Sequence, residues 1–248
     1  MKGKSIARGI LERIIGHYGY GLKIDGSPPR GYANFLNYIV KTGFQPGTVF
    51  DIGVGNGTPW LYEAFPKAHF VLIEPQIEFE TSLKRLCKQM DAEYHCVGAG
   101  EIESNLPLYR LSISPTGSSF LPPSEQATNI WGTFSQSDST IPIVQLDTFK
   151  DRSEPFLLKI DTEGYELKVL QGATGILAKT DLALVEVAIA ERQVGEADLI
   201  EIGIFMKENG FRLIDIPMLT QQSVHGPLLY VDVAFAKIGG SADVGFLQ

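Results

Sequence analysis

The sequence predicts an α/β fold in which helices cover both faces of a doubly wound, mainly parallel sheet. Short apolar runs typical of strands alternate with stretches long enough for crossover helices, and this alternation is typical of a parallel sheet covered on both faces. Hydrophobic residues make up 44% and charged residues 20% of the chain, enough apolar content for a buried core. The runs number about seven and occupy residues 48–52, 69–73, 94–97, 156–160, 182–187, 211–216 and 229–236.

The connection between the last two runs differs from the others. Residues 218–228 read MLTQQSVHGPL and show no helical period. A hairpin is therefore expected in place of a crossover helix, and a hairpin joins antiparallel strands. The sequence thus predicts about seven strands, of which one near the edge of the sheet is antiparallel.

The N-terminal part of the chain has a different character. Apolar residues recur at helical spacing before and after a breaker, GSPPRG, at residues 26–31. We therefore predict an N-terminal helical extension over residues 1–45, which would cap the site of the substrate, and an α/β domain over residues 46–248.

The long interval 113–140 breaks the alternation of strands and helices. It is rich in serine and threonine and carries Phe120, Trp131 and Phe134. A loop longer than about 12–15 residues is usually a functional lid or a disordered segment, and the aromatic residues favour a lid. These aromatic side chains could stack on a ligand or fill the core beneath the loop, and the sequence leaves both roles open.

Charge and composition exclude several classes of protein. The 248 residues carry 21 basic and 29 acidic side chains, a formal net charge of −8, which opposes a nucleic-acid groove. No apolar run approaches the roughly 18–20 residues of a membrane span, and the N-terminus has no apolar block of a signal peptide. Two cysteines fit a reduced compartment. We expect a cytoplasmic protein without a nucleic-acid partner or a membrane span, and a homo-oligomer remains open.

A glycine loop follows the first strand. In TVFDIGVGNGTPW, residues 48–60, the strand ends and glycines follow at positions 53, 55 and 57. A helix is then expected, with Thr58 as its N-cap and Pro59 at its first position. Glycines let a backbone pass close to a ligand, and ligands bind at the carboxyl ends of the strands in such a sheet. The loop therefore predicts a binding site.

The spacing of the loop distinguishes between cofactors. A dinucleotide fingerprint needs G-x-G-x-x-G, whereas Thr58 stands where the third glycine would be. The second strand ends in FVLIEP, which places Glu74 where an acid can bind both hydroxyls of a ribose. Each feature alone has a purely structural interpretation, but together and in this order they indicate a site for a nucleoside-type cofactor.

These residues resemble the FkbM family of class I S-adenosylmethionine-dependent methyltransferases. The similarity covers roughly residues 46–237. It rests on three blocks, of which the third is the most specific, and on two shorter segments, VQLDTF at residues 144–149 and LALVEVA at residues 182–188. The three blocks are VFDIGVGNGT at residues 49–58, VLIEPQIEFE at residues 71–80 and LLKIDTEGYELKVLQGA at residues 157–173.

The resemblance implies a Rossmann-like sheet of seven strands with one reversed, and S-adenosyl-L-methionine as the cofactor. It further implies methyl transfer, commonly to a hydroxyl oxygen, so that the partner would be a small-molecule or glycan acceptor such as a sugar or a natural-product intermediate. The residues that the resemblance assigns to cofactor binding are Asp51, Gly53, Gly55, Asn56, Gly57, Glu74, Pro75, Val97 and Gly98.

The acids after the fourth and fifth strands of the domain are the candidates for catalysis. A hydroxyl is a poor nucleophile, so a positioned base or a metal ion would help. We assign the catalytic role to Asp161 and then to Glu163. Asp161 could instead cap the next helix, or pair with Lys159 on the same face of the strand. No metal ligand is assigned, although Asp161 and Glu186 could together hold Mg²⁺.

Two other functions compete with methyl transfer. The first is an NAD-dependent dehydrogenase on the same scaffold, since a fold does not fix a function. The loop spacing opposes it, and so does the lack of a Tyr-x-x-x-Lys pair, because Tyr165 and Lys168 are one residue too close. The second is a module that binds the nucleoside without turnover, which the retained acids Asp51, Glu74 and Asp161 oppose.

Overall fold

The protein is described by a computed structural model over residues 31–221 and 227–244. The first 30 residues of the predicted N-terminal extension lie outside this description. The remainder of the extension contains a helix that buries Phe35, Leu36 and Ile39.

Ten strands are described, and the predicted runs are all among them. The third run is displaced, since its strand begins at residue 92 instead of 94. The strands are β1 (Thr48–Ile52), β2 (His69–Ile73), β3 (Ala92–His95), β4 (Gly98–Ala99), β5 (Ser104–Leu111), β6 (Phe134–Val144), β7 (Phe156–Ile160), β8 (Thr180–Ala188), β9 (Phe211–Gln221) and β10 (Leu228–Lys237).

Seven of these strands form one sheet in the order β3-β2-β1-β7-β8-β10-β9. Pairing is parallel from β3 to β8, whereas β10 runs antiparallel to both of its neighbours. The predicted Rossmann-like, mainly parallel sheet with one antiparallel strand is confirmed. The order reverses next to β1, so the carboxyl ends of β1 and β7 lie side by side at a position where such sheets bind ligands.

Helices cover both faces of the sheet. One helix begins at Pro59, as predicted, although the Thr58 side chain makes no capping hydrogen bond. The helices are α1 (Tyr32–Lys41), α2 (Pro59–Ala64), α3 (Glu80–Gln89), α4 (Glu125–Trp131), α5 (Glu166–Gln171), α6 (Thr174–Ala178) and α7 (Leu199–Glu208).

Two apolar cores lie on opposite faces of the sheet. Successive strand residues point to opposite faces, so Val49 packs with α1, α2 and α3, whereas Phe50 packs with α5, α6 and α7. Both side chains are fully buried. The central strands are mostly apolar on both sides because each face of the sheet is covered.

The segment 113–140, which we predicted to be a loop, contains regular structure. It includes α4, capped by the Ser124 hydroxyl, and most of β6. Strand β6 pairs with β4 and β5 in a second, three-stranded sheet. The prediction was wrong because much of β6 is solvent-exposed and carries serine, threonine and glutamine, which hide the apolar signal of a strand.

Within the described part of the chain, none of the helices combines the length and the apolar character needed to cross a bilayer.

Candidate cofactor and acceptor site

A cavity of about 470 Å³ opens where β1, β2, β7 and β8 end. The glycine loop and the residues after β2 line one side of it, and the acids after β7 and in β8 line the other. The two sets of residues that the sequence singled out therefore face the same cavity.

The glycine loop is shaped by close backbone contacts. Gly53, Gly55 and Gly57 have φ values of +78°, +53° and +116°, which side chains rarely tolerate. A Cβ on Gly53 would lie 1.7 Å from the carbonyl oxygen of Asp161. Only glycine at position 53 allows the backbone after β1 to lie so close to the backbone after β7. Because glycine has no side chain, the loop exposes its backbone to the cavity.

Glu74 anchors this loop from the end of β2. Its two carboxylate oxygens accept hydrogen bonds from the backbone N–H of Gly55, at 2.8 Å, and of Gln76, at 2.9 Å. The side chain is buried, and burial raises the pKa of Glu74 while the two N–H donors act against that rise. Each oxygen keeps a lone pair, so the carboxylate can accept hydrogen bonds from a ribose diol. The geometry fits the nucleoside cofactor.

The predicted cofactor residues are not all at the cavity. The glycine loop, Asn56, Glu74, Pro75 and Gly98 line it. Val97 instead packs against the apolar core that Phe50 forms with α5, α6 and α7. Asp51 lies beneath the loop with no exposed surface.

Asp51 belongs to a buried polar chain. One of its oxygens accepts a hydrogen bond of 2.7 Å from the Tyr62 hydroxyl, and the other lies 3.2 Å from Lys159 Nζ. Lys159 also donates to the Gly53 carbonyl at 3.0 Å and lies 3.5 Å from Asp161 Oδ2. Burial acts to lower the pKa of Lys159, but Asp51 and Asp161 outweigh it and the pKa is raised. The lysine is therefore protonated, and the alternative that it pairs with Asp161 is confirmed.

Three carboxylates meet at the ends of β7 and β8. Oxygen atoms of Asp161, Glu163 and Glu186 all lie within 4.8 Å of one another. The buried Arg192, which the sequence did not reveal, approaches Glu186 at 2.8 Å and Glu163 at 3.1 Å. Burial raises the pKa of both glutamates. The donor set suits a cation such as Mg²⁺, but two of its members, Glu163 and Glu186, already share the single positive charge of Arg192.

Asp161 is the most accessible member of this group. Its side chain is 40% exposed, against 25% for Glu163 and 8% for Glu186. The following helix has Tyr165 at its N-cap position, so Asp161 does not cap that helix. Its carboxylate is free to face a ligand in the cavity.

A third group of residues, missed by the sequence analysis, also lines the cavity. Tyr32 of α1 stacks on Trp60 with ring centroids 3.7 Å apart, and its hydroxyl donates to Asp232 of β10. Burial and the nearby Asp161 raise the pKa of Asp232 to about 6. The sequence does contain a signal for Asp232, because it is an acidic residue within the otherwise apolar run LLYVDVAFAK at residues 228–237.

Among the aromatic residues of 113–140, only Phe120 is found at the cavity, and it also packs on the core. Phe120 lines the cavity and packs edge-on against Tyr165, with centroids 5.6 Å apart. Trp131 and Phe134 do not line it.

Comparison with known proteins identifies a matching family. A family model described as methyltransferase FkbM domain matches residues 51–213. No curated protein sequence matches the chain.

Solved methyltransferase structures are similar at low identity. Methyltransferase FkbM from Methylobacillus flagellatus is 17% identical with a TM-score of 0.48, and the match covers 82% of this chain and 48% of that one, so the chain spans about half of its length. Magnesium protoporphyrin IX methyltransferase from Synechocystis, with bound S-adenosylmethionine, is 9% identical over 83% and 77% of the two chains, with a TM-score of 0.43. A putative RNA methyltransferase from Pyrococcus horikoshii is 14% identical over 86% and 85%, with a TM-score of 0.45.

Proposed function

Because the chain belongs to the FkbM family of S-adenosylmethionine-dependent methyltransferases, we propose that it methylates a hydroxyl oxygen of a sugar or another natural-product intermediate. One observation carries the proposal. A single cavity joins the glycine loop and Glu74 to the carboxylates of Asp161, Glu163 and Glu186. Groups suited to a nucleoside and groups suited to a hydroxyl thus face each other.

The residues of the cofactor half would act through backbone and carboxylate contacts. The glycine loop, with Asn56, would hold the methionine part, and Glu74 would accept hydrogen bonds from the ribose hydroxyls. Pro75 and Gly98 would line the adenine side. The cofactor, when bound, supplies a methyl group on a positively charged sulfur, which needs only an aligned oxygen for displacement.

Asp161 would accept the proton of the acceptor hydroxyl. It is the most exposed of the three carboxylates, so an acceptor can reach it. Lys159 would hold this carboxylate in place from the buried side, at 3.5 Å. Glu163, paired with Arg192, would shape the acceptor pocket and is the second candidate base.

Two segments would keep water from the reaction. Tyr32, the first residue of α1, lines the cavity, in line with a capping role for the N-terminal extension. Residues of 113–140 contact the loop after β8, since Ser124 N donates to the Arg192 carbonyl at 2.9 Å and Val194 N to the Pro122 carbonyl at 2.8 Å. We propose that these two segments together act as the lid of the acceptor site.

Thermal-shift titration tests cofactor binding. A ligand that binds only the folded state adds about 2.7 kcal/mol at a hundred times its dissociation constant. We expect stabilisation by S-adenosylmethionine and by its demethylated product S-adenosylhomocysteine, and none by NAD. Glu74→Ala should abolish the effect, whereas Glu78→Ala, an exposed acid outside the cavity lining, should preserve it. Stabilisation by NAD alone would support the dehydrogenase.

Turnover then separates an enzyme from a binding module. The protein is incubated with methyl-labelled S-adenosylmethionine and hydroxyl-bearing acceptors, and products are identified by mass. Asp161→Asn should lower the rate by about 10²–10⁴-fold, the usual contribution of a general base, while cofactor affinity is retained. Binding without transfer to any acceptor would support the non-catalytic module.

A further inference from the structure

The acceptor end of the cavity is lined by more acids than bases. Asp161, Glu163, Glu186 and Asp232 all face it. Lys159 is the only basic residue among the described residues that line the cavity. The wall that would meet the acceptor is therefore acidic.

The nearby cations are already shared between several carboxylates. Lys159 contacts both Asp51 and Asp161. Arg192, behind the wall, lies within 4 Å of three glutamates. Eight carboxyl groups thus interact with two cations, which leaves a surplus of six carboxyl groups. The eight belong to Asp51, Glu74, Asp161, Glu163, Glu166, Glu186, Glu196 and Asp232.

Burial makes this surplus costly. Like charges in a low-dielectric pocket cannot all ionise, and burial together with the neighbouring acids raises the pKa of Glu163, Glu186 and Asp232. A positively charged ligand would relieve the repulsion, and a negatively charged one would increase it. The cofactor has two cationic groups and one carboxylate, so its net charge of one leaves most of the surplus.

An aromatic wall stands beside the acids. Tyr32 and Trp60 are stacked with an interplanar angle of 9°, and the Tyr32 hydroxyl is bonded to Asp232. Both rings line the cavity. Aromatic faces pack against the apolar faces of sugar-like rings and attract cations. Such aromatic residues in the lining suit a ring-shaped, cationic ligand.

We propose that the acceptor carries a protonated amine close to the hydroxyl that is methylated, as in an amino sugar. This inference rests on the proposed function and narrows its substrate class. Phosphorylated and carboxylated acceptors are excluded by the same charges.

The test compares three probes of similar size and different charge. Glucosamine, glucose and glucose 6-phosphate are titrated by calorimetry into protein saturated with S-adenosylhomocysteine, at pH 7 and with EDTA so that no metal ion supplies the positive charge. We expect glucosamine to bind about tenfold more tightly than glucose, and glucose 6-phosphate not to bind. Equal affinities, preference for the phosphate, or no binding of glucosamine would overturn the inference.

Variants test whether the acids that line the cavity cause the preference for glucosamine over glucose. Asp232→Asn and Glu186→Gln each remove one ionisable carboxyl group with little change in shape, and each should reduce the preference for glucosamine over glucose several-fold. Glu208→Gln, an exposed acid on α7, should leave it unchanged. An undiminished preference in a folded Asp232→Asn protein would overturn the assignment, even if Glu186→Gln fails to fold. If the unmodified protein does not bind S-adenosylhomocysteine at all, the proposed function is refuted instead.

Discussion

Lys159 Nζ lies 3.2 Å from Asp51 Oδ1, and both side chains are almost completely buried. The same ammonium contacts the Gly53 carbonyl and the Asp161 carboxylate. One buried cation therefore links the loop that would hold the cofactor to the residue that would act as base.

Removing this cation should strongly destabilise the protein. In Lys159→Met the Asp51 carboxylate stays buried without its partner, and breaking a buried pair in this way costs about 3–5 kcal/mol. Urea unfolding measures the loss. Lys179→Met is the matched control, because Lys179 pairs with the exposed Glu154 at 3.0 Å, and such pairs contribute about 0–1 kcal/mol. If the two variants lose similar amounts of free energy of unfolding, the buried Lys159–Asp51 pair contributes no more to stability than an exposed pair.

The second prediction concerns the glycine loop. Gly53→Ala places a Cβ 1.7 Å from the Asp161 carbonyl oxygen, so β1 and β7 must separate and the loop must move. We expect loss of S-adenosylmethionine binding in calorimetry and a destabilisation of several kcal/mol. Gly132→Ala is the control, since Gly132 also has a positive φ, +94°, but its added Cβ meets no atom within 4 Å. Its backbone strain should cost about 1–3 kcal/mol, and the variant should bind the cofactor normally. Normal binding by Gly53→Ala would contradict the role of the loop.

The third prediction is a pH dependence of stability. The pKa of Asp232 rises from 3.8 to about 6 in the folded protein, so its ionisation opposes folding. The ionisation of Asp232 does not lower the free energy of unfolding below about pH 4. Its cost to that free energy grows between about pH 4 and 6 and reaches about 3 kcal/mol above pH 6. Asp232→Asn should therefore stabilise the protein at pH 8 and have little effect at pH 4.

Chemical denaturation at the two pH values tests this prediction. The amide side chain of the Asp232→Asn variant retains an acceptor oxygen for the Tyr32 hydroxyl, so the change isolates the charge. The carboxyl group of Asp161 and the cations Lys159 and Arg192 also act on Asp232, and the variant leaves them in place. A variant that is less stable than the parent at pH 8 would contradict the predicted sign.

The sequence predicted those parts of the fold that depend on local patterns. The strand at residues 156–160, FLLKI, is buried along its whole length and is apolar except for Lys159. The glycine loop and Glu74 follow strand ends and were assigned by position. In contrast, β6 was missed because exposed polar residues dominate it.

The rest of the site depends on contacts between distant segments. Tyr32, on the first described helix, meets Asp232 on the last strand, and Arg192 reaches Glu163 from the loop after β8. No local spacing encodes these contacts. The family resemblance assigned Asp51 to the cofactor, but the structure shows its side chain fully buried, with Lys159 as its partner.

The last prediction uses the two tryptophans as reporters. Trp60 lines the cavity and stacks on Tyr32, whereas Trp131 lies outside the cavity lining. In Trp131→Phe the remaining Trp60 should change its fluorescence when S-adenosylhomocysteine and then glucosamine are added, because ligands in the cavity alter the environment of its ring. In Trp60→Phe, which keeps an aromatic ring against Tyr32, the emission of Trp131 should stay constant. A response from Trp131 alone would place the bound ligand outside this cavity.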